Sequence, residues 1–153
     1  MAVFIFRAQA ALDFRRRQEE EAQRALGEAR RAVQDGKTAL ARAEAELEAA
    51  LHEARKAVSS PAESAPVSWH RNWILLKQRE IARRRQTLLE REQAEKRAVA
   101  AALQARRKVR SLEKLKERAL AAFELNQRQQ EQKMLNELGG LRYVARLQVP
   151  GGR

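Results

Sequence analysis

A heptad seam runs through the first third of this sequence: Ala22, Leu26, Ala29, Val33, Gly36, Leu40, Ala43, Leu47, Ala50, Ala54 and Ala57 follow one another at alternating steps of four and three residues. An α-helix turns once in about 3.6 residues, so residues spaced this way form a single stripe, and a stripe this long is the mark of a coiled coil. One set of seam positions carries large side chains (Leu26, Val33, Leu40, Leu47) and the other small ones (Ala29, Gly36, Ala43, Ala50). A partner helix can approach closely along the small row.

The prolines place that partner in the same chain. All three, Pro61, Pro66 and Pro150, fall outside the periodic segments. Because proline inside a helix costs about 3 kcal/mol, the intervals between them are free to be long helices. The stretch from Ser59 to Val67 reads as a turn. Folding the chain back on it pairs the two stripes at a constant index sum of 128: Ala54 with Ile74, Leu47 with Ile81, Leu40 with Leu88, Leu26 with Ala102, Ile5 with Phe123. The sequence therefore predicts an all-α fold, a long antiparallel two-helix coiled coil. Residues 1–138 form a single hairpin (helix 4–58, turn 59–67, helix 68–138), and residues 139–153 form a flexible tail. At about 1.5 Å per residue the first helix would reach about 80 Å and the second about 105 Å, so the second overhangs. Its last turns are polar from Asn126 to Lys133, then carry Met134, Leu135 and Leu138 before Gly139-Gly140, a pair that reads as a helix stop.

Composition supports long helices over a globule. Only 5% of the 153 residues are aromatic, 34% are charged, and the mean hydropathy is −0.68. Bulk for a compact core is lacking, while Ala, Leu, Glu, Arg, Lys and Gln abound. The longest aliphatic runs, Ala2 to Phe6 and Ala98 to Leu103, fall far short of the roughly 18 residues that a membrane span requires. Met1 to Leu12 has Arg7 and Gln9 inside it, unlike a secretory signal. No membrane insertion is expected, and the protein should stay in the cytosol. The absence of cysteine removes disulfides, thiolate metal sites and a thiol nucleophile together.

Two polar interruptions break the seam. Arg15 and Glu19 occupy seam positions near the open end, and a shift of phase onto Ala11 and Phe14 is the simplest accommodation. Glu95 would face Val33, again accommodated by turning Ala94, Ala98 or Val99 inward.

Charge is unevenly distributed. Residues 1–58 hold 11 Lys and Arg against 10 Asp and Glu, whereas residues 68–138 hold 18 against 9. The basic clusters, Arg83-Arg84-Arg85 and Arg106-Arg107-Lys108 with Arg110, span more than a helical turn each and cannot lie wholly on one face. They read as a solvated cationic surface, as a contact for acidic proteins, or as a phosphate-binding face. Against nucleic acid, no aromatic residue alternates with the basic ones to stack bases, and neither cluster forms a forked basic extension.

Enzyme chemistry finds no foothold, and no cofactor is called for. His52 and His70 flank the turn with only Glu53 beside them, a weak metal set. No glycine-rich phosphate loop or nucleophile elbow is present. Carboxylates interspersed with Arg and Lys at helical spacing are the pattern of surface ion pairs. Function must come from binding, and two places stand out. At the turn end, Trp69 and Trp73 lie one helical turn apart, either capping the coiled coil or anchoring a partner. At the open end, Phe4, Phe6 and Phe14 stand beside Arg15, Arg16 and Arg17, and the opposite strand supplies Phe123 and the polar overhang beginning near Gln127. That end is mixed, basic and apolar.

Three stretches, FRAQAALDFRRRQEEEA from Phe6, RRKVRSLEKLKER from Arg106 and EQKMLNEL from Glu131, resemble the FliJ family of flagellar export proteins, in order and over nearly the whole chain. The resemblance implies a non-catalytic cytoplasmic stalk of the type III export apparatus, associated peripherally with the inner membrane and similar to the central shaft of rotary ATPases. The open end (Phe4, Phe6, Phe14, Arg15, Arg16, Arg17, Phe123, Gln127) would sit in the pore of the hexameric export ATPase and promote ring assembly and activity. The chain would also touch the cytoplasmic part of the export gate and escort export chaperones. The similarly built injectisome stalk is the alternative. The family's gate-binding patch has an aromatic, Leu, Ala and His at helical spacing. Here the aromatic falls on Trp73 but the others on Lys77, Glu80 and Arg84, so only Trp73 carries over.

Overall fold

The computed structural model describes residues 2–60 and 66–149. They form two helices, α1 (Gln9–Ser59, 51 residues) and α2 (Val67–Gln148, 82 residues), packed against each other as a helical hairpin, with no strand among the described residues. Most of the expected turn, Pro61 to Ala65, and the last four residues of the expected tail lie outside them.

The ends of the helices differ from the expected 4–58 and 68–138. Residues 2–6 are not helical; Val3, Phe4, Ile5 and Phe6 are poor helix formers, and α1 begins only where the Gln9 amide donates to the Phe6 carbonyl at 3.1 Å and the Leu12 amide to the Ala8 carbonyl at 3.0 Å. The Pro66 carbonyl accepts from the Trp69 amide at 2.9 Å and the His70 amide at 3.4 Å, starting α2. Proline is well placed there, since the first amides of a helix have no partner within it. At its far end α2 runs through Gly139-Gly140 instead of stopping. A glycine stop needs the left-handed backbone, and no described glycine has positive φ. Leu141 to Gln148 contain good helix formers and no proline, and they carry the helix on.

Contacts divide the chain into two compact units: residues 1–16 with 107–153, and residues 17–106. In the second, Leu26, Val33, Ala43, Ala50 and Ala57 of α1 and Ile81 and Ala102 of α2 are buried. In the first, Leu12 is completely buried and Val109 nearly so. Within each unit the pairing agrees with the register read from sequence. Cross-helix contacts such as Lys77 with Glu46, Arg30 with Glu95, Arg85 with Glu44 and Arg16 with Glu113 have index sums between 123 and 129. Leu47 and Ile81, paired in that register, line one groove. Two pairings shift. Phe123 meets Phe4, ring centroids 5.6 Å apart, while Ile5 stays exposed; outside a helix, adjacent side chains no longer follow the heptad. Leu88 packs over Gly36, one turn from Leu40.

Neither polar interruption changes the seam's phase. Ala11 and Phe14 remain exposed, and Arg15 and Glu19 are half-buried at the seam. Glu19 is held by Arg106 at 3.6 Å. Glu95 likewise stays half-buried, held by Arg30 at 3.7 Å, with Ala98 half-buried beside it and Ala94 and Val99 exposed. Turning a helix locally would expose apolar seam residues on both sides, whereas an ion pair at the seam's edge accommodates the charge in place.

Candidate functional site

Cations of α2 stand along three positions of the close-approach row of α1. Lys77, Arg84 and Arg91 repeat every seven residues on α2, and each lies over a small residue of α1. Lys77 shares a groove with Ala50, and Arg84 shares one with Ala43. Arg91 crosses Gly36 to donate to the Ala32 carbonyl at 2.9 Å. A β-carbon on Gly36 would sit 3.2 Å from Leu88 Cδ1 and 3.4 Å from an Arg91 guanidinium nitrogen. The small row thus makes room for long cationic stems, whose methylenes fill space while their charged heads reach the edge.

Lys77 is the most buried of these, 8% exposed. Its ammonium donates to Glu46 and to Glu80, the latter at 3.3 Å, and Arg84 reaches Glu80 from the other side at 3.5 Å. The Glu46 hydrogen bond, outweighing the opposing effect of desolvation, raises the Lys77 pKa above its ordinary value. The hydrogen bond from Lys77 holds Glu80 below the usual carboxylate range. Lys77 also stands 4.8 Å from the centroid of the Trp73 ring.

That ammonium ends an aromatic ladder. Trp69 and Trp73 stack with planes 5° apart and centroids at 6.0 Å, and the His70 ring meets Trp69 edge-on at 5.1 Å. Beside the ladder lies an open groove of about 400 Å³, floored by Ala49 and Ala50 and rimmed by Glu46 and Glu53. Both indoles are substantially exposed, 54% for Trp69 and 41% for Trp73. The ladder therefore presents apolar surface in fixed orientation. Lys77 was missed by sequence reading because a lysine at a seam position looks like a departure from a docking pattern; its heptad spacing with Arg84 and Arg91, opposite Ala50, Ala43 and Gly36, was the available signal.

In the first unit, the residues predicted for the open end come together in part. Phe4 and Phe123 pack with their rings tilted by 54°, Phe6 and Gln127 are half-buried, and Arg16 bridges to Glu113 at 3.4 Å. Phe14 points to solvent with the Arg15 guanidinium 5.9 Å from its centroid. Lys116 crosses to Gln9 Oε1 at 2.8 Å. Arg17 is exposed and belongs to the other unit. Beyond Gln127 every described residue of α2 is exposed, including Met134, Leu138, Leu141 and Val144. Among the described residues no helix is long and apolar enough to cross a membrane.

The family model described as Flagellar FliJ protein matches residues 7–148 of the chain. The chain belongs to this family. No curated protein and no solved structure gives a match. FliJ membership gives the chain a flagellar export-related role, in which it interacts with the export apparatus. The matched range spans both helices, from just before the start of α1 to the last residue of α2.

Proposed function

We propose that the chain is a non-catalytic central stalk of the flagellar type III export apparatus. Its open end, Phe4, Phe6, Phe14, Arg15, Arg16, Arg17, Phe123 and Gln127, enters the pore of the hexameric export ATPase and promotes ring assembly and hydrolysis. The observation carrying this reading is the uncovered length of α2 beyond Gln127, adjoining the Phe4–Phe123 contact within one unit. An amphipathic helix left without a partner, exposing Met134, Leu138 and Leu141, is suited to insertion into another protein. The same protein contacts the cytoplasmic part of the export gate through Trp73 and escorts export chaperones, working in the cytoplasm at the inner membrane.

Two measurements test this, stimulation of the export ATPase and binding to the export gate. Deleting residues 1–14 should abolish stimulation of the purified export ATPase, while replacing Arg83, Arg84 and Arg85 by Gln largely spares it. Trp73→Ala should weaken gate binding by about 2 kcal/mol, as for a buried interface aromatic, with helicity unchanged. Stimulation surviving the deletion would overturn the stalk reading; lost thermal stability with unchanged gate affinity would make Trp73 a packing residue.

A further inference from the structure

The basic cluster around Arg107 continues as a single row. Arg107, Arg110, Lys114 and Arg118, followed by Ala121 and Leu125, are spaced by three or four residues. At about 100° per residue, the rotation that 3.6 residues per turn gives, they lie within a sector of about 80°. That sector faces directly away from Val109, Leu112, Lys116 and Phe123, the side that α2 turns toward α1 in this unit. All six residues are exposed. None of the four cations forms an ion pair with a described residue, in contrast to Arg16, whose guanidinium reaches Glu113. Glu113 is thereby directed toward α1, and Glu117 sits only at the margin of the row.

We infer that this row is a docking surface for an acidic α-helix of another protein. The repeat identifies the occupant. Residues three and four apart on an α-helix recur at about 5.4 Å along its axis, so carboxylates at the same spacing on a second helix meet Arg107, Arg110, Lys114 and Arg118 in turn. Leu125 offers an apolar anchor at one end. A second copy of this chain is a poor occupant: its formal net charge is +12, and none of its faces carries an uninterrupted acidic row. Single-stranded nucleic acid would need stacking aromatics beside the cations, and the row has none. A membrane surface would need a broad apolar face alongside the charge, and here Ala121 and Leu125 alone supply it. The inference does not depend on the stalk reading.

The test uses the full chain and two synthetic helical peptides of identical composition, one with glutamates at alternating three- and four-residue steps on one face and a terminal leucine, the other with the glutamates scattered around the helix. Affinity is followed by fluorescence anisotropy at low and physiological salt. The facial peptide should bind at least tenfold more tightly than the scattered one. Replacing Arg107, Arg110, Lys114 and Arg118 together by Gln should remove that advantage, while the same loss of charge at Arg79, Arg83, Lys96 and Arg97 should preserve it. Because the comparison of peptides is made on the unaltered chain, it holds even if a variant folds poorly. Equal binding of the two peptides, or equal loss in both variants, reduces the row to a share of the net charge and overturns the proposal. Tighter binding of a short oligouridylate than of the facial peptide overturns it in favour of phosphate recognition.

Discussion

Lys77 ties together packing, electrostatics and the exposed indoles, and its protonation sets a pH dependence. Glu80 has its pKa lowered, so what it contributes to stability is fully present above its ordinary 4.5 and is lost as pH falls through the depressed value. Lys77 has its pKa raised, so its contribution is fully present below 10.5 and is lost as pH rises through the raised value. The melting temperature should therefore be flat between these limits and fall outside them, and Lys77→Met should make both falls shallower. An unchanged alkaline limb in Lys77→Met would show that Lys77 is held no differently in the folded chain than in the unfolded one. Gly36 has a related role. Its missing side chain lets Arg91 cross α1 to the Ala32 carbonyl, and that passage, not backbone freedom, explains a glycine in mid-helix.

The hairpin and its register were legible in the sequence because a heptad stripe is a repeated signal, in which Leu26, Val33, Leu47, Ile81 and Ala102 all support one alignment. The ends of the helices were less so, since each depends on a few residues. Phe4 left the expected helix because aromatic and β-branched neighbours disfavour it and the Phe123 ring offers an alternative contact. The candidate site was readable at Trp69 and Trp73 but not at Lys77, whose place is set by small residues on the other helix. Gly139 and Gly140 read as a stop, yet α2 passes through them, and a β-carbon on either would meet nothing within 4 Å. Gly139→Ala with Gly140→Ala should consequently stabilise the local helix, by about 1 kcal/mol for each glycine removed. Hydrogen exchange at Leu141 to Gln148 should slow in that variant. Faster exchange there would mean that the glycines are needed in a non-helical conformation.

On the scale of the whole molecule, the uneven charge of the two helices has a partly structural use. Arg85 reaches Glu44, Arg106 reaches Glu19 and Lys77 reaches Glu46, so part of the cationic excess of α2 holds the acids of α1; Arg91 and Lys116 reach uncharged groups of α1, and Arg107, Arg110, Lys114 and Arg118 face outward. Exposed ion pairs contribute at most about 1 kcal/mol each, and their geometry favours the antiparallel pairing over others more than it strengthens it. With both helices packed against each other, the uncovered surface of the described residues includes the Trp ladder in one unit, and the outward row and the end of α2 beyond Gln127 in the other. A central stalk must act once per ring, and that makes stoichiometry its most direct test. The purified flagellar export ATPase would be titrated with the full chain, hydrolysis followed, and both proteins counted in the assembled complex by mass photometry. Stimulation should peak at one chain per ATPase hexamer; saturation at one chain per ATPase subunit, or hydrolysis unchanged at every ratio, would contradict the stalk.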